Sequence, residues 1–286
     1  MAAHKLRITP DRVASRSTDL LGGGSMKYFR LLSAFFRVSV MGELAYRVNF
    51  FWQLFQSILN LTVSLIGLAV IFSYTDTLGG WQPSEILVLV GIYFLVGGMI
   101  GLIIQPSMEQ FIESVRDGTL DFTLTKPEDT QLIVSIKQAD IWRLIDILLG
   151  LGVLVAALIW MGEKVSIWQA GSFILMLIAG AFIIYSFLLI LGTLSFWFVR
   201  VENILVIFQS IYEAGRWPVS LYPGWLRYGL TFVIPVAFAT TIPTEALTAR
   251  LTLQTLLGAV GLAVGLLAVS RLFWRVGLRH YSGTSA

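Results

Sequence analysis

Five long apolar runs dominate the chain: Phe50–Phe72, Ile86–Ile104, Ile141–Met161, Trp168–Val199 and Leu251–Trp274. A helix needs about 20 mostly apolar residues to cross a bilayer, so each run predicts a membrane-spanning helix. The fourth is long enough to tilt or to project beyond the membrane. Between Val201 and Pro243 the pattern is less regular. Ile204–Ile211 is apolar, Glu213-Ala214-Gly215-Arg216-Trp217-Pro218 interrupts it, and Trp225–Ile242 is apolar again. Pro218, Pro223, Pro235 and Pro243 punctuate the stretch. On one reading Trp225–Ile242 is the fifth span. On the other, Val201–Pro218 is the fifth span and the following segment is re-entrant, since broken helices at membrane depth are tolerated only against protein or a cavity. Both readings give six spans and an all-α polytopic architecture.

Composition points the same way. Of 286 residues, 56% are apolar and 13% charged, against about 25% charged in an ordinary soluble domain. Mean hydropathy is +0.79. Soluble enzymes and nucleic-acid binders are thereby excluded. The net charge of +3 calls for no anionic partner, because membrane proteins keep Lys and Arg in cytoplasmic segments. The chain has no cysteine and only two histidines, His4 and His280, so thiolate chemistry is ruled out and a histidine metal site or triad has almost nothing to work with.

The basic residues orient the spans. Lys5, Arg7, Arg12, Arg16, Lys27, Arg30, Arg37 and Arg47 precede the first run, and Ser73–Glu85 has neither Lys nor Arg. Gln105–Asp140 carries Arg116, Lys126 and Lys137, and Arg271, Arg275 and Arg279 lie near the C-terminal end. Both termini and the Gln105–Asp140 loop are expected inside, with Trp81, Trp160 and Trp168 as aromatic anchors at the outer interface. Residues 1–25 read as a disordered basic tail, or as an extension ahead of a start at Met26. Met26–Val48 reads as an interfacial amphipathic helix, with Phe29, Leu32, Phe36 and Val40 opposite Lys27, Arg30 and Arg37. It is a membrane anchor, or an anchor that also meets a cytoplasmic partner. Residues 49–279 form the span-bearing domain.

The Gln105–Asp140 loop holds seven acids against three bases. An anionic inner leaflet offers it nothing, so it suits docking to a protein better than to lipid; the alternative is a merely solvated connection. Pro106 suits a helix start and Gly118 a helix stop. Phe111, Ile112 and Val115 share one stripe, and Glu109, Glu113 and Arg116 another. Pro127, with Glu128 and Asp129, suits the start of a second helix running directly into the third span.

Three segments resemble a known family. They are Val115-Arg116-Asp117-Gly118-Thr119-Leu120-Asp121-Phe122-Thr123-Leu124-Thr125-Lys126-Pro127, then Arg216-Trp217-Pro218-Val219-Ser220-Leu221-Tyr222-Pro223-Gly224-Trp225-Leu226-Arg227, and Phe232-Val233-Ile234-Pro235-Val236-Ala237-Phe238. All are similar to the membrane subunits of bacterial type-2 ABC exporters, in the branch whose permeases are encoded apart from their ATPase. The resemblance covers roughly Met26 to Arg279. It implies a six-span permease of the inner membrane with an interfacial N-terminal helix, a cytoplasmic coupling helix and outer-leaflet re-entrant helices. Pro218–Pro243 is then the re-entrant segment, with breaks at Pro218, Pro223, Gly224 and Pro235. The resemblance also implies a partner ATP-binding cassette subunit carrying ATP and Mg, and a second permease, identical or not. The ATPase-coupling interface falls on Glu113, Arg116, Asp117, Gly118, Thr119, Leu120, Asp121 and Phe122, with Leu120 and Phe122 as apolar anchors.

No G-x-x-x-x-G-K-[ST] phosphate loop occurs, so energy must come from a partner or an ion gradient. Ionisable residues within spans are few, which argues against an ion-coupled carrier; a membrane scaffold is the other rival. Asp140, Arg143 and Asp146 are spaced to pair locally. So are Glu213 and Arg216, whose alternative role is to line an export path or its outer gate. Asn60, Gln53 and Gln56 either hydrogen-bond across helices or face a cavity. No cofactor, metal or nucleic acid is expected on the chain; membrane lipid surrounds it.

Overall fold

The computed structural model describes residues 47–126, 129–162, 165–198 and 201–281. The tail 1–25, the amphipathic helix up to residue 46, and Pro127 and Glu128 lie outside the described residues. Within them every regular element is helical. In order these are α1 (Arg47–Phe72), α2 (Pro83–Arg116), α3 (Asp121–Leu124), α4 (Thr130–Ile136), α5 (Ile141–Met161), α6 (Ile167–Phe196), α7 (Glu202–Tyr212), α8 (Gly224–Val233), α9 (Val236–Leu247) and α10 (Leu253–His280).

Among the described residues α1, α2, α5, α6 and α10 are long and apolar enough to cross a membrane. The pair α8 and α9 would add a sixth crossing if counted as one span, but its axes meet at 69°. The Trp225–Ile242 run is therefore not one continuous helix. Proline chemistry sets the break: the ring of Pro235 keeps the preceding residue out of the helical region, and Ile234 is extended at φ −124°, ψ 97°. Pro218, Pro223 and Pro235 each stand immediately before a helical segment. Gly224 opens α8 rather than breaking it. The fifth segment, α7, has 11 residues continued by a 3-10 turn over Glu213–Arg216.

α2 differs from its sequence expectation. Pro106 does not begin a new helix; it lies inside one of 34 residues. At 1.5 Å per residue this rod is about 51 Å long, roughly 20 Å more than the hydrocarbon of a bilayer. Proline inside a helix removes one N–H and crowds the carbonyl four residues back. Here that carbonyl is Leu102, the backbone widens into a π turn over Ile100–Ile104, and the N–H of Asp140 donates to the Leu102 oxygen at 2.9 Å. Ser107 Oγ donates to the Gln138 carbonyl at 2.8 Å and accepts from its N–H at 3.2 Å. The chain at Gln138–Asp140 is thus tied to α2. For this reason α4 does not run directly into the third span. It ends at Ile136, and Asp140 caps a fresh turn by accepting from Trp142 N–H at 3.2 Å.

The most extensive helix contact joins α2 to α5. It is a contact between backbones. A Cβ on Gly150 would lie 2.4 Å from the Leu95 nitrogen, one on Gly91 2.7 Å from the Leu154 nitrogen, and one on Gly98 2.9 Å from the Ile147 nitrogen. Small residues permit such an approach in a membrane bundle, where association rests on packing. α6 crosses behind, its Leu188 and Ile184 buried with Ile92, Val96, Met108 and Phe111 of α2. A second cluster joins α6 to α9 and α10 through Met176, Ile183, Phe238, Ile242 and Leu256. α1 is peripheral: 11% of its most apolar window is buried, against 61% for α2. We call the end carrying residues 117–140 the loop end, and the opposite one the far end.

Candidate functional site

Gln53, Gln56, Ser57 and Asn60 are spaced to share one face of α1. Phe51, Phe55, Ile58 and Val63 occupy the exposed remainder. The polar face meets α2, α5 and α7 across a cavity of about 230 Å³. Tyr93, Gly97, Gly101 and Gln105 line it from α2, Arg143 and Asp146 from α5, and Phe208, Gln209 and Tyr212 from α7, followed by Glu213 and Arg216. The structure thus brings Asn60 together with Glu213 and Arg216, which lie far from it in the chain.

Two pairs of charges share this cavity and differ sharply. Arg143 lies 3.6 Å from Asp140 and 3.4 Å from Asp146, as their spacing predicts. Ser57 Oγ also donates to Asp146 at 2.5 Å, tying α1 to α5. Glu213 and Arg216 have the same spacing, yet among the described residues no ion pair joins them. The Arg216 guanidinium instead lies over the Tyr93 ring, 5.2 Å from its centroid, and its Nε is buried without a hydrogen-bond partner. Tyr93 stacks on Tyr212 at 5.1 Å, and the Tyr212 hydroxyl donates to the Tyr93 carbonyl at 3.1 Å. Sequence reasoning passed over Ser57; its place in the stripe with Gln53, Gln56 and Asn60 was the available signal.

At the far end Leu78-Gly79-Gly80-Trp81 makes a tight turn, with both glycines at positive φ (57° and 83°). Leu78 and Trp81 exchange two backbone hydrogen bonds of 3.0 Å. The turn delivers Trp81 inward, where it is buried. Its Nε1 donates to Ser220 Oγ at 3.0 Å, and Arg250 covers its ring at 4.6 Å. Arg250 also donates to both Glu85 oxygens at 2.7 Å and to the Gly80 carbonyl at 2.7 Å. Trp81 is therefore part of an internal clasp, not the exposed anchor its position suggests. Trp160 and Trp168 are exposed.

The loop end holds the predicted coupling residues. Asp117 caps α2 and Gly118 turns left-handed at φ 67°. Thr119 N–H donates to the Ser114 carbonyl at 2.9 Å and Gly118 N–H to that of Val115 at 3.3 Å, the paired bonds of a glycine helix stop. Glu113, Arg116 and Asp117 form an exposed cluster, with Arg116 at 3.8 Å from Glu113 and 3.1 Å from Asp117. Phe122 is 76% exposed, whereas Leu120 is fully buried. Of the two expected apolar anchors, only Phe122 is presented; Leu120 holds the tip from inside. Thr119 is exposed and Asp121 is partly covered.

The same tip is wired to the bundle. Phe111 packs against Phe196 at 5.6 Å and Trp274 at 5.0 Å, reaching α6 and α10. Arg271 of α10 donates to both oxygens of Asp129 and, at 2.6 Å, to Gln131. Gln131 and Ser135 in turn reach the Tyr185 hydroxyl at 3.3 and 2.8 Å. The hydrogen-bonded Arg271 guanidinium holds the Asp129 carboxyl below the usual carboxylate range. The pair therefore persists at neutral pH and loosens only in acid, as pH falls through that lowered value.

Two comparisons bear on this arrangement. No curated protein matches the chain. A family described as ABC-2 family transporter protein matches residues 58–285, from within α1 to beyond α10.

Proposed function

Because the chain belongs to the ABC-2 transporter family, we propose that it is the permease subunit of an ATP-driven exporter in a bacterial cytoplasmic membrane. A separate ATP-binding cassette subunit, holding ATP and Mg²⁺, supplies the energy. The observation that carries this reading is the 34-residue α2. One continuous rod runs from the clasp at the far end, through the bundle, to a sharply capped tip. A force applied at Glu113, Arg116, Asp117 and Phe122 passes along α2, through Phe111 to α6 and α10, and through the Asp140–Leu102 bond to α5. A solvated connection needs none of these ties.

The loop end faces the cytoplasm and both termini lie inside, as the Lys and Arg distribution requires. Two permeases pair, identical or not. The bend at Pro235 supports a re-entrant α8–α9 in the outer leaflet, with Trp225 and Tyr228 exposed at its start. The cavity between α1, α2, α5 and α7 belongs to the export path, with Asn60, Glu213 and Arg216 on its wall.

Reversing Glu113 and Asp117 to Lys tests the coupling surface. Membrane insertion should persist, since the change adds positive charge inside, while capture of the cognate ATPase and transport-linked stimulation of hydrolysis should fall. Normal capture and normal coupled hydrolysis would remove this tip from the mechanism. Orientation has its own check. In intact cells Thr77→Cys should react with an impermeant thiol reagent and Thr119→Cys should not.

A further inference from the structure

The cavity contains an unresolved charge problem. Of its four charged residues, Arg143 and Asp146 pair with each other, beside Asp140 and Ser57, although Arg143 Nε is itself buried without a hydrogen-bond partner. Glu213 and Arg216 do not. Their spacing would let them meet, but Arg216 turns onto Tyr93 and leaves Nε buried without a partner. Glu213 stays exposed on the cavity wall and forms no ion pair among the described residues. An ionised group at membrane depth is costly unless paired or hydrated, and such groups mark ligand pathways. Here one carboxylate and one guanidinium are left open to the same space.

We infer that this cavity binds the headgroup of a zwitterionic amphiphile, one carrying an anionic phosphate and a cationic amine. The inference rests on the reading that the cavity lies on the export path, and names the class of molecule that path accepts. An anion alone would meet Arg216 but face the repulsion of Glu213. A cation alone would leave Arg216 unmet. A headgroup bearing both charges neutralises both. The amides of Gln53, Gln56, Asn60 and Gln209 supply donors and acceptors for phosphate oxygens and ammonium hydrogens. The space is about 230 Å³, below the range of pockets that enclose a drug-sized ligand, so it takes a headgroup and not the tails. Gln56 and Asn60 are exposed beside Phe55, Leu59 and Val63. The mouth therefore opens along an apolar surface where tails remain in the bilayer.

The absence of native cysteine makes the test direct. The full chain carrying Gln56→Cys, assembled with its cognate ATPase, is treated with N-ethylmaleimide. Dihexanoylphosphatidylethanolamine serves as the zwitterionic probe and dihexanoylphosphatidylglycerol as the anionic one. The zwitterion should slow modification at least fivefold and the anion less than twofold. Arg216→Gln should abolish that protection, and Glu213→Gln should shift preference toward the anionic probe. Equal protection by both lipids, or none by either, overturns the inference without any charge variant being needed. Protection that survives in Arg216→Gln overturns it as well. Nucleotide separates the two levels of argument. If ATP changes the reactivity of Gln56→Cys but the zwitterion gives no protection, the path stands and the ligand class falls. If the zwitterion protects but ATP changes nothing, the ligand class stands and the path reading falls.

Discussion

The seam between α2 and α5 and the seam between α1 and the bundle are built on opposite principles. The first is dry and closes backbone against backbone at Gly91, Gly98 and Gly150. The second is held at the loop end by the Ser57–Asp146 hydrogen bond and the Phe50–Trp142 ring contact at 5.3 Å. At the far end it is held by Leu68 in a small cluster with Trp81 and Ile86. Between these two points lies the cavity. Glycine contacts tolerate no sliding, because any shift drives a main chain into its neighbour. Polar contacts around a cavity can be exchanged for water or ligand at small cost. The contrast assigns α2 and α5 to a rigid unit that transmits force, and α1 to the wall that can yield.

The hardest blow to the rigid seam is Gly150→Leu. Even the first added carbon would lie 2.4 Å from the Leu95 nitrogen, an obstacle that no rotamer change relieves. Overpacking usually costs about 1–3 kcal/mol, and this site belongs at or above the top of that range. Gly152 is the control, since nothing lies within 4 Å of a Cβ there. Gly152→Leu should be neutral or stabilising by up to about 1 kcal/mol, because leucine is the better helix former. Thermal unfolding of the purified proteins decides the matter. Similar losses in both variants would remove the special role of this seam.

The clasp at the far end should rank second. Glu85→Ala deletes both carboxylate contacts to Arg250 and the Glu85 Oε2 that accepts from Gln82 N–H at 2.7 Å. Removing one member of a buried pair is costly, but the Arg250 side chain is 38% exposed and recovers some hydration. The expected loss is about 1–2 kcal/mol, read as a lower unfolding temperature, with Glu85→Gln retaining part of it. A loss as large as that of Gly150→Leu would mean that the clasp, and not the glycine seam, holds the bundle together.

These two regions also mark how far the sequence could be read. The long helices were legible because an apolar run of span length has few other fates, and α1, α5 and α10 begin and end within a few residues of their runs. The glycine stop at Gly118 was legible for the same local reason. The π turn at Ile100–Ile104 was not, because it depends on Asp140 returning to a carbonyl that Pro106 leaves open. Arg250 and Glu85 are 165 residues apart, and Arg271 and Asp129 are 142 apart; no local pattern announces such pairs. Glu213 and Arg216 show the converse. Their spacing invited a local salt bridge, and the Tyr93 ring competed for the guanidinium. Leu120 and Trp81 were both expected at a surface and both turn inward, since neighbouring residues decide burial and a single position does not.

The smallest expected effect tests the yielding side. Ser57→Ala removes the 2.5 Å hydrogen bond to Asp146 and leaves Arg143 as the remaining partner of that carboxylate. Side-chain hydrogen bonds inside membrane proteins average about 0.6 kcal/mol and reach about 1.7 kcal/mol, so the unfolding temperature should barely move. The local consequence should be clearer. If Ser57 is one of the few ties holding α1, losing about 1 kcal/mol there raises the open population of the cavity about fivefold. A cysteine at Gln53, which faces that space, should then react about fivefold faster with N-ethylmaleimide in the Ser57→Ala background. A cysteine at Gln105, on the α2 wall of the same cavity, should change less, because its helix stays seated on α5. Equal acceleration at both positions would show the cavity swelling as a whole. No acceleration at Gln53 would show α1 to be as firmly fixed as α2, and the contrast between the two seams would fall with it.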